Sequence, residues 1–123
     1  MNNWKSRIIA GNERFVEKDF ESARMLYEAA CLEAEVLLTE WQKPEEAVSA
    51  FVISYHNMAD LYQRQGKSRT ARSTLEKVHQ HLLRTAASTP VDDVRHGALC
   101  RGINETYSAL LTHKRCHLVG NVH

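Results

Sequence analysis

The chain has 123 residues, of which 43% are hydrophobic and 25% are charged, and its formal net charge is +1. This length and composition are those of a globular protein with one modest core, and the chain is too short for two cores. Its 5 glycines and 2 prolines are too few for a β architecture with many turns. The three cysteines lie far apart, and none forms a C-x-x-C pair, which argues against a disulfide framework or a zinc knuckle.

The beginning of the chain carries charged residues from Lys5 onward and lacks the apolar core of a signal peptide. No apolar run approaches the roughly 20 residues that a membrane-spanning helix needs. We therefore expect a cytoplasmic protein with reduced thiols and no membrane segment.

Charge is divided unevenly between the two halves of the chain. Residues 1–60 have a net charge of −5, whereas residues 61–123 have a net charge of +6. Such a dipolar molecule can steer a charged partner or favour head-to-tail self-association. The alternative is that the exposed faces of the helices carry an uneven set of charges by chance.

Hydrophobic residues recur with helical spacing along nearly the whole chain, and no strand is predicted. The first helix is predicted over residues 3–18. Asp19 suits the N-cap of a long second helix over residues 20–42. Pro44 suits the first position of a third helix that reaches about Gln65.

Gly66 is predicted to take the left-handed conformation that ends the third helix, and Ser68 opens a fourth helix that reaches about residue 86. Thr89, Pro90 and Asp92 have the spacing of a cap, a first-turn proline and a capping box. They predict a fifth helix over residues 91–116, although its two internal glycines each cost about 1 kcal/mol relative to alanine. Residues 119–123 are predicted to form a flexible C-terminal tail.

These elements predict an all-α fold of about five antiparallel helices in a single domain that spans residues 1–118. Short turns require each apolar face to pack against helices that are near in sequence. Stacked helical hairpins and an up-down helical bundle both meet this requirement.

Two segments resemble the tetratricopeptide unit, a helix–turn–helix with small and aromatic residues at fixed offsets. The segment with the fuller pattern contains Ala59, Tyr62, Gly66, Ala71, Leu75 and Val78, and the other contains Gly11, Ala23, Tyr27 and Ala30. Gly11 and Ala59 occupy equivalent offsets but lie about 14 residues further apart than in a standard unit of about 34 residues. The resemblance therefore implies two extended units, and no third unit can be recognised in the sequence.

In tetratricopeptide folds the first helix of each pair lines a peptide-binding groove, which here implies a groove between helices one and three. Its predicted residues are Lys5, Ile8, Asn12, Phe15, His56, Asn57, Asp60 and Arg64, with Ile9, Val16 and Ile53 beside them. Asn12 and Asn57 match the two groove asparagines that hold a peptide backbone or a C-terminal carboxylate in the chaperone-binding branch of the family. That branch has a lysine where this chain has Ile8, so we expect a general peptide groove and not a complete carboxylate clamp. Alternatively, both asparagines only cap or solvate helix faces.

The sequence contains no recognisable catalytic or cofactor motif, such as a P-loop, G-x-S-x-G or H-E-x-x-H. His113, Cys116 and His117 have partial metal-ligand spacing, but no further ligand is fixed by the sequence. His56 and Asp60 lie four residues apart and are expected to form a helix-surface pair. We therefore predict no catalytic site, no metal site and no cofactor.

A basic cluster surrounds the turn between the third and fourth helices, formed by Arg64, Lys67, Arg69 and Arg72. It has no interleaved aromatic residues, which favours an acidic protein surface over nucleic acid as its partner. The sequence predicts a non-enzymatic protein-protein interaction module that binds a peptide or protein partner. The alternatives are a self-associating helical scaffold or regulator, which would be a homo-oligomer, and a phosphate or nucleic-acid binder that uses the basic C-terminal half.

Overall fold

The computed structural model describes residues 1–40 and 43–122, with side chains described as far as residue 115. The described residues contain five helices and no strand, which confirms the predicted all-α fold. The predicted end of the second helix at residue 42 lies outside the described residues. The helices are α1 (Asn2–Val16), α2 (Phe20–Glu40), α3 (Pro44–Arg64), α4 (Ser68–Ala87) and α5 (Val94–Val122).

Three of the predicted helix boundaries are confirmed. The Asp19 carboxylate accepts a hydrogen bond from the backbone N–H of Ser22 at 3.2 Å and so caps α2. Pro44 occupies the first turn of α3. Gly66 has a φ of 76°, the left-handed conformation that lets the chain leave α3 and enter α4 without steric cost.

The predicted start of the fifth helix is wrong. Thr89 does not cap it, because the Thr89 hydroxyl donates to the carbonyl of Thr85 at 2.7 Å and so completes the end of α4. Asp93 caps α5 instead, since its carboxylate accepts the backbone N–H of Arg95 at 2.8 Å. At its other end α5 continues to Val122, beyond the predicted end at residue 116. The boundary between a domain at 1–118 and a tail at 119–123 stays a prediction.

The central helix is α3, which contacts each of the other four helices. Nine of its residues are buried, among them Phe51, Met58 and Leu61. The indole Nε1 of Trp4 donates to the Ser54 hydroxyl at 2.6 Å, and this buried hydrogen bond fixes α1 against α3. The Ser54 hydroxyl in turn donates to the carbonyl of Ala50 at 2.7 Å, so both buried polar groups are paired.

The helices form an open stack. Helices adjacent in sequence pack together, and α3 also packs against α1 and α5. Helices α1 and α5 do not contact each other within the described residues, and neither do the backbones of α2 and α4. A closed up-down bundle would bring its first and last helices together, so the arrangement is that of stacked hairpins.

Helix α5 crosses α3 and α4 at a glycine. A Cβ atom at Gly102 would lie 2.6 Å from Cγ1 of Val48 and 3.1 Å from Cδ1 of Leu82. By contrast, a Cβ at Gly97 would meet only the end of Arg101, at 3.9 Å. Gly102 is therefore required by close helix packing, whereas Gly97 is not.

This difference makes the two glycines a matched pair for mutation. We expect Gly102→Ala to lower the free energy of unfolding by about 1–3 kcal/mol, because the added methyl group overpacks the core. Gly97→Ala should raise it by up to about 1 kcal/mol, because alanine is the better helix former. Urea denaturation followed by circular dichroism measures both values. Equal effects of the two substitutions would contradict the packing described at Gly102.

Candidate functional site

Helices α1 and α3 bring several of the predicted groove residues together on one surface, which we call the α1–α3 surface. The guanidinium of Arg64 lies 5.9 Å from the centre of the Phe15 ring, at the distance of a cation–π contact. The Tyr27 hydroxyl donates to the side-chain oxygen of Asn12 at 2.6 Å. Burial raises the pKa of Tyr27, and the negative charge of Asp60 raises it further.

One predicted groove residue belongs to the core. Ile8 is only 8% exposed and packs inside the molecule, so it does not form the floor of a groove. Its neighbour Ile9 is 59% exposed, and Val16 and Ile53 are also exposed. Ile9 and Val16 line a shallow cavity on α1 together with Asn12, and Ile53 is an exposed apolar side chain of α3. Lys5 is exposed on α1 and makes no ion pair with a described side chain.

Two neighbouring polar side chains of α3 lack partners among the described residues. Asn57 is half-buried, yet its amide makes no side-chain hydrogen bond there. Nε2 of His56 is enclosed by protein and also has no partner. Burial lowers the pKa of His56, so the imidazole is held neutral and can both donate and accept a hydrogen bond.

The predicted pairing of His56 with Asp60 is not formed, since the two side chains share no hydrogen bond or ion pair. Although Asp60 reaches solvent, the surrounding protein raises the pKa of its carboxyl group through burial. Asn57 and Asp60 thus keep hydrogen-bonding capacity at the surface that no described side chain uses, whereas the unpaired Nε2 of His56 lies inside the protein.

Asn12 differs from Asn57. Its side-chain oxygen is engaged by Tyr27, and Tyr27 packs so closely on Gly11 that a Cβ there would lie 2.5 Å from the ring. Asn12 therefore helps to orient a buried aromatic residue of the α1–α2 hairpin. The amide nitrogen of Asn12 makes no hydrogen bond with a described side chain, so it is available to a ligand.

The structure also contains a groove that the sequence did not reveal. Because the backbones of α2 and α4 stay apart, a cavity of about 560 Å³ opens between them. Phe51 and Tyr55 of α3 form its floor, and His81 of α4 stacks on Phe51 with ring centres 5.0 Å apart. No spacing rule predicts this groove, since it depends on how far apart two helices lie that are not adjacent in sequence.

The remaining candidate groups are partly engaged elsewhere. In the basic cluster, Arg72 pairs with Glu76 at 3.0 Å and Arg64 covers Phe15. His113 lies 3.1 Å from the side-chain oxygen of Gln63, and the side chains of Cys116 and His117 lie outside the described residues. Among the described side chains, no group of three histidine, cysteine or acidic residues is placed to hold a metal ion. None of the described helices is long and apolar enough to cross a membrane.

Comparison with known proteins identifies the family. The chain belongs to the family described as "Protein of unknown function (DUF2753)", whose model matches residues 2–122. No curated protein and no solved structure matches the chain. The family description names neither a fold nor an activity, so the tetratricopeptide resemblance stays a prediction.

The lowered pKa of His56 has a consequence for stability. Because the unfolded chain binds a proton at this residue more readily than the folded chain, the free energy of unfolding should fall as the pH drops through about 6.5. Above that pH the imidazole is neutral in both states and contributes no pH dependence. We expect His56→Gln to show a smaller loss of stability than the wild type between about pH 7.5 and about pH 5.5.

Denaturant titrations at several pH values measure this difference. Burial also lowers the pKa of His81, as does the charge of Arg84. His81→Gln in the same series therefore measures how much this second histidine contributes to the pH dependence of stability. Parallel pH profiles for the wild type and His56→Gln would show that His56 is freely protonated in the folded state.

Proposed function

We propose that this member of the DUF2753 family is a non-enzymatic, cytoplasmic protein-protein interaction module, and that it binds a peptide or protein segment on the α1–α3 surface. The observation that carries the proposal is the pair of polar side chains on α3, Asn57 and Asp60, that reach the surface and have no partner among the described side chains. Beside this pair, Nε2 of His56 is buried without a partner, and a buried unpaired polar group costs free energy until a partner satisfies it.

The chemistry of this surface suits an extended peptide. The Asn57 amide offers both a donor and an acceptor, as a peptide backbone does, and the Asp60 carboxylate can accept a backbone N–H. The exposed side chains of Ile9, Val16 and Ile53 add apolar contacts for the ligand's own side chains. This combination of apolar contact and specific hydrogen bonds is typical of recognition surfaces.

The resemblance to tetratricopeptide units supports the same surface, since it assigns ligand binding to the first helix of each hairpin. The open stack of α1 to α5 agrees with that resemblance. Peptide binding is favoured over nucleic-acid binding, because two of the four cations in the basic cluster are engaged within the protein. Self-association remains the alternative, and the charge difference between the two halves of the chain motivates it.

The direct test is affinity capture from an extract of the native cells. We expect the wild type to capture a specific protein and Asn57→Ala/Asp60→Ala to lose it by at least about tenfold, since each removed contact is worth about 1 kcal/mol or more. Quantitative mass spectrometry of the captured proteins measures the loss. Both substitutions remove unpaired groups, so the variant should fold as well as the wild type.

A matched control is Gln80→Ala, which removes an exposed amide from α4. It should capture the same protein as the wild type. If Asn57→Ala/Asp60→Ala captures that protein undiminished, the α1–α3 surface is not the binding site. If the chain captures only itself, and light scattering shows a mass that rises with concentration, the proposal gives way to self-association.

A further inference from the structure

Helix α2 carries a second apolar stripe that the fold does not use. The stripe consists of Met25, Ala29, Leu32 and Val36, which we call the α2 ridge. Their spacing of four, three and four residues places all of them within about 60° of arc on one side of the helix. The buried residues of α2, such as Tyr27 and Ala34, lie on the opposite side. The helix is therefore apolar on two faces, and only one of them packs against the rest of the chain.

The α2 ridge is open to solvent. Met25, Leu32 and Val36 keep 61%, 65% and 54% of their surface exposed. Leu32 borders two cavities, one of about 370 Å³ on the side of α3 and α4, and one of about 360 Å³ on the side of α1. A projecting apolar seam with a hollow on each side has the shape that helix-helix packing requires.

Acidic residues flank the α2 ridge on both sides. Glu28 and Glu35 line the first cavity, and Glu33 and Glu40 line the second. Arg24 and Arg7 partly neutralise this charge, through pairs with Glu28 at 2.6 Å and Glu33 at 2.5 Å, and Lys77 of α4 also lines the first cavity. Glu40 has no ion pair with a described side chain. In total, α2 holds 5 glutamates and 1 arginine, a net charge of −4.

We propose that the α2 ridge is a docking surface for a basic amphipathic helix of a partner protein. The apolar face of that helix packs on Leu32 and Val36, and its flanking lysines or arginines meet the glutamates on either side. The proposal goes beyond the α1–α3 surface, because it concerns a different pair of helix faces and a different ligand chemistry.

The glutamates on both sides of the α2 ridge argue against two other occupants, a second copy of the chain and an anionic lipid surface. Two copies of the chain paired through their α2 ridges would place rows of glutamates opposite each other, which is unfavourable. An anionic lipid surface would be repelled in the same way. The apolar face of a cationic helix can pack on the α2 ridge, and its positive charges can pair with the flanking glutamates.

The test uses the full chain and two synthetic helical peptides of roughly 14 residues, long enough to cover the stripe. One peptide has leucines at heptad positions a and d and lysines at e and g, and the other has glutamates at e and g. Fluorescence anisotropy gives the two dissociation constants at low and at high salt. We expect the lysine peptide to bind at least about tenfold more tightly, with a difference that shrinks as salt screens the charges.

Variants assign the binding to the α2 ridge. Leu32→Asp should weaken binding of the lysine peptide by at least about tenfold, and Leu32→Ala, which places no charge on the surface, should weaken it in the same direction. Val91→Asp, at an exposed position between α4 and α5, is the matched control and should leave the affinity unchanged. Asn57→Ala/Asp60→Ala should also bind the peptide normally, so failure at one surface is distinguishable from failure at the other.

Three results would overturn the proposal. The first is equal affinity for the two peptides, and the second is an unchanged affinity in both Leu32 variants. The third is a wild-type dimer in analytical ultracentrifugation that Leu32→Asp dissociates, because the α2 ridge would then belong to a second copy of this chain.

Discussion

The close packing of four helices around α3 is the constraint on which the rest of the structure depends. Small residues make it possible, since Gly102 lets α5 approach Val48 and Leu82 at distances that no side chain would allow. On the other side, the hydrogen bond from Trp4 to Ser54 fixes α1. Because α3 packs against all four other helices, nine of its residues are buried. The proposed binding surface is the edge of α3 that this packing leaves free.

That edge carries its polar groups at a cost to the folded protein. Nε2 of His56 is enclosed without a partner, and burial lowers the pKa of His56 and raises that of Asp60, the directions that disfavour charge. A residue that lowers the stability of the free protein is tolerated most readily where a bound ligand compensates for the lost stability.

Local chemistry predicted most of the fold. Gly66, Pro44 and Asp19 mark helix ends because each has a conformational or hydrogen-bonding preference that acts within a few residues. The start of α5 was predicted wrongly, since Thr89 and Asp93 both suit a cap and only the completed end of α4 decides between them. Ile8 and Ile9 are adjacent and equally apolar, so the sequence could not tell which one packs inward. The spacing of apolar residues in the sequence contains the α2 ridge as a second stripe, but its exposure depends on where α1, α3 and α4 lie.

Hydroxyl-radical footprinting of the chain, alone and bound to the protein that it captures, tests the central claim most directly. The account predicts that oxidation of Ile9, Val16 and Ile53 falls when the partner binds. Val91 and Val94 are the controls. They lie near the start of α5 and are 82% and 83% exposed, and they should be oxidised equally with and without the partner. Unchanged oxidation of Ile9, Val16 and Ile53, with protection elsewhere, would contradict the account and show that the partner binds another surface.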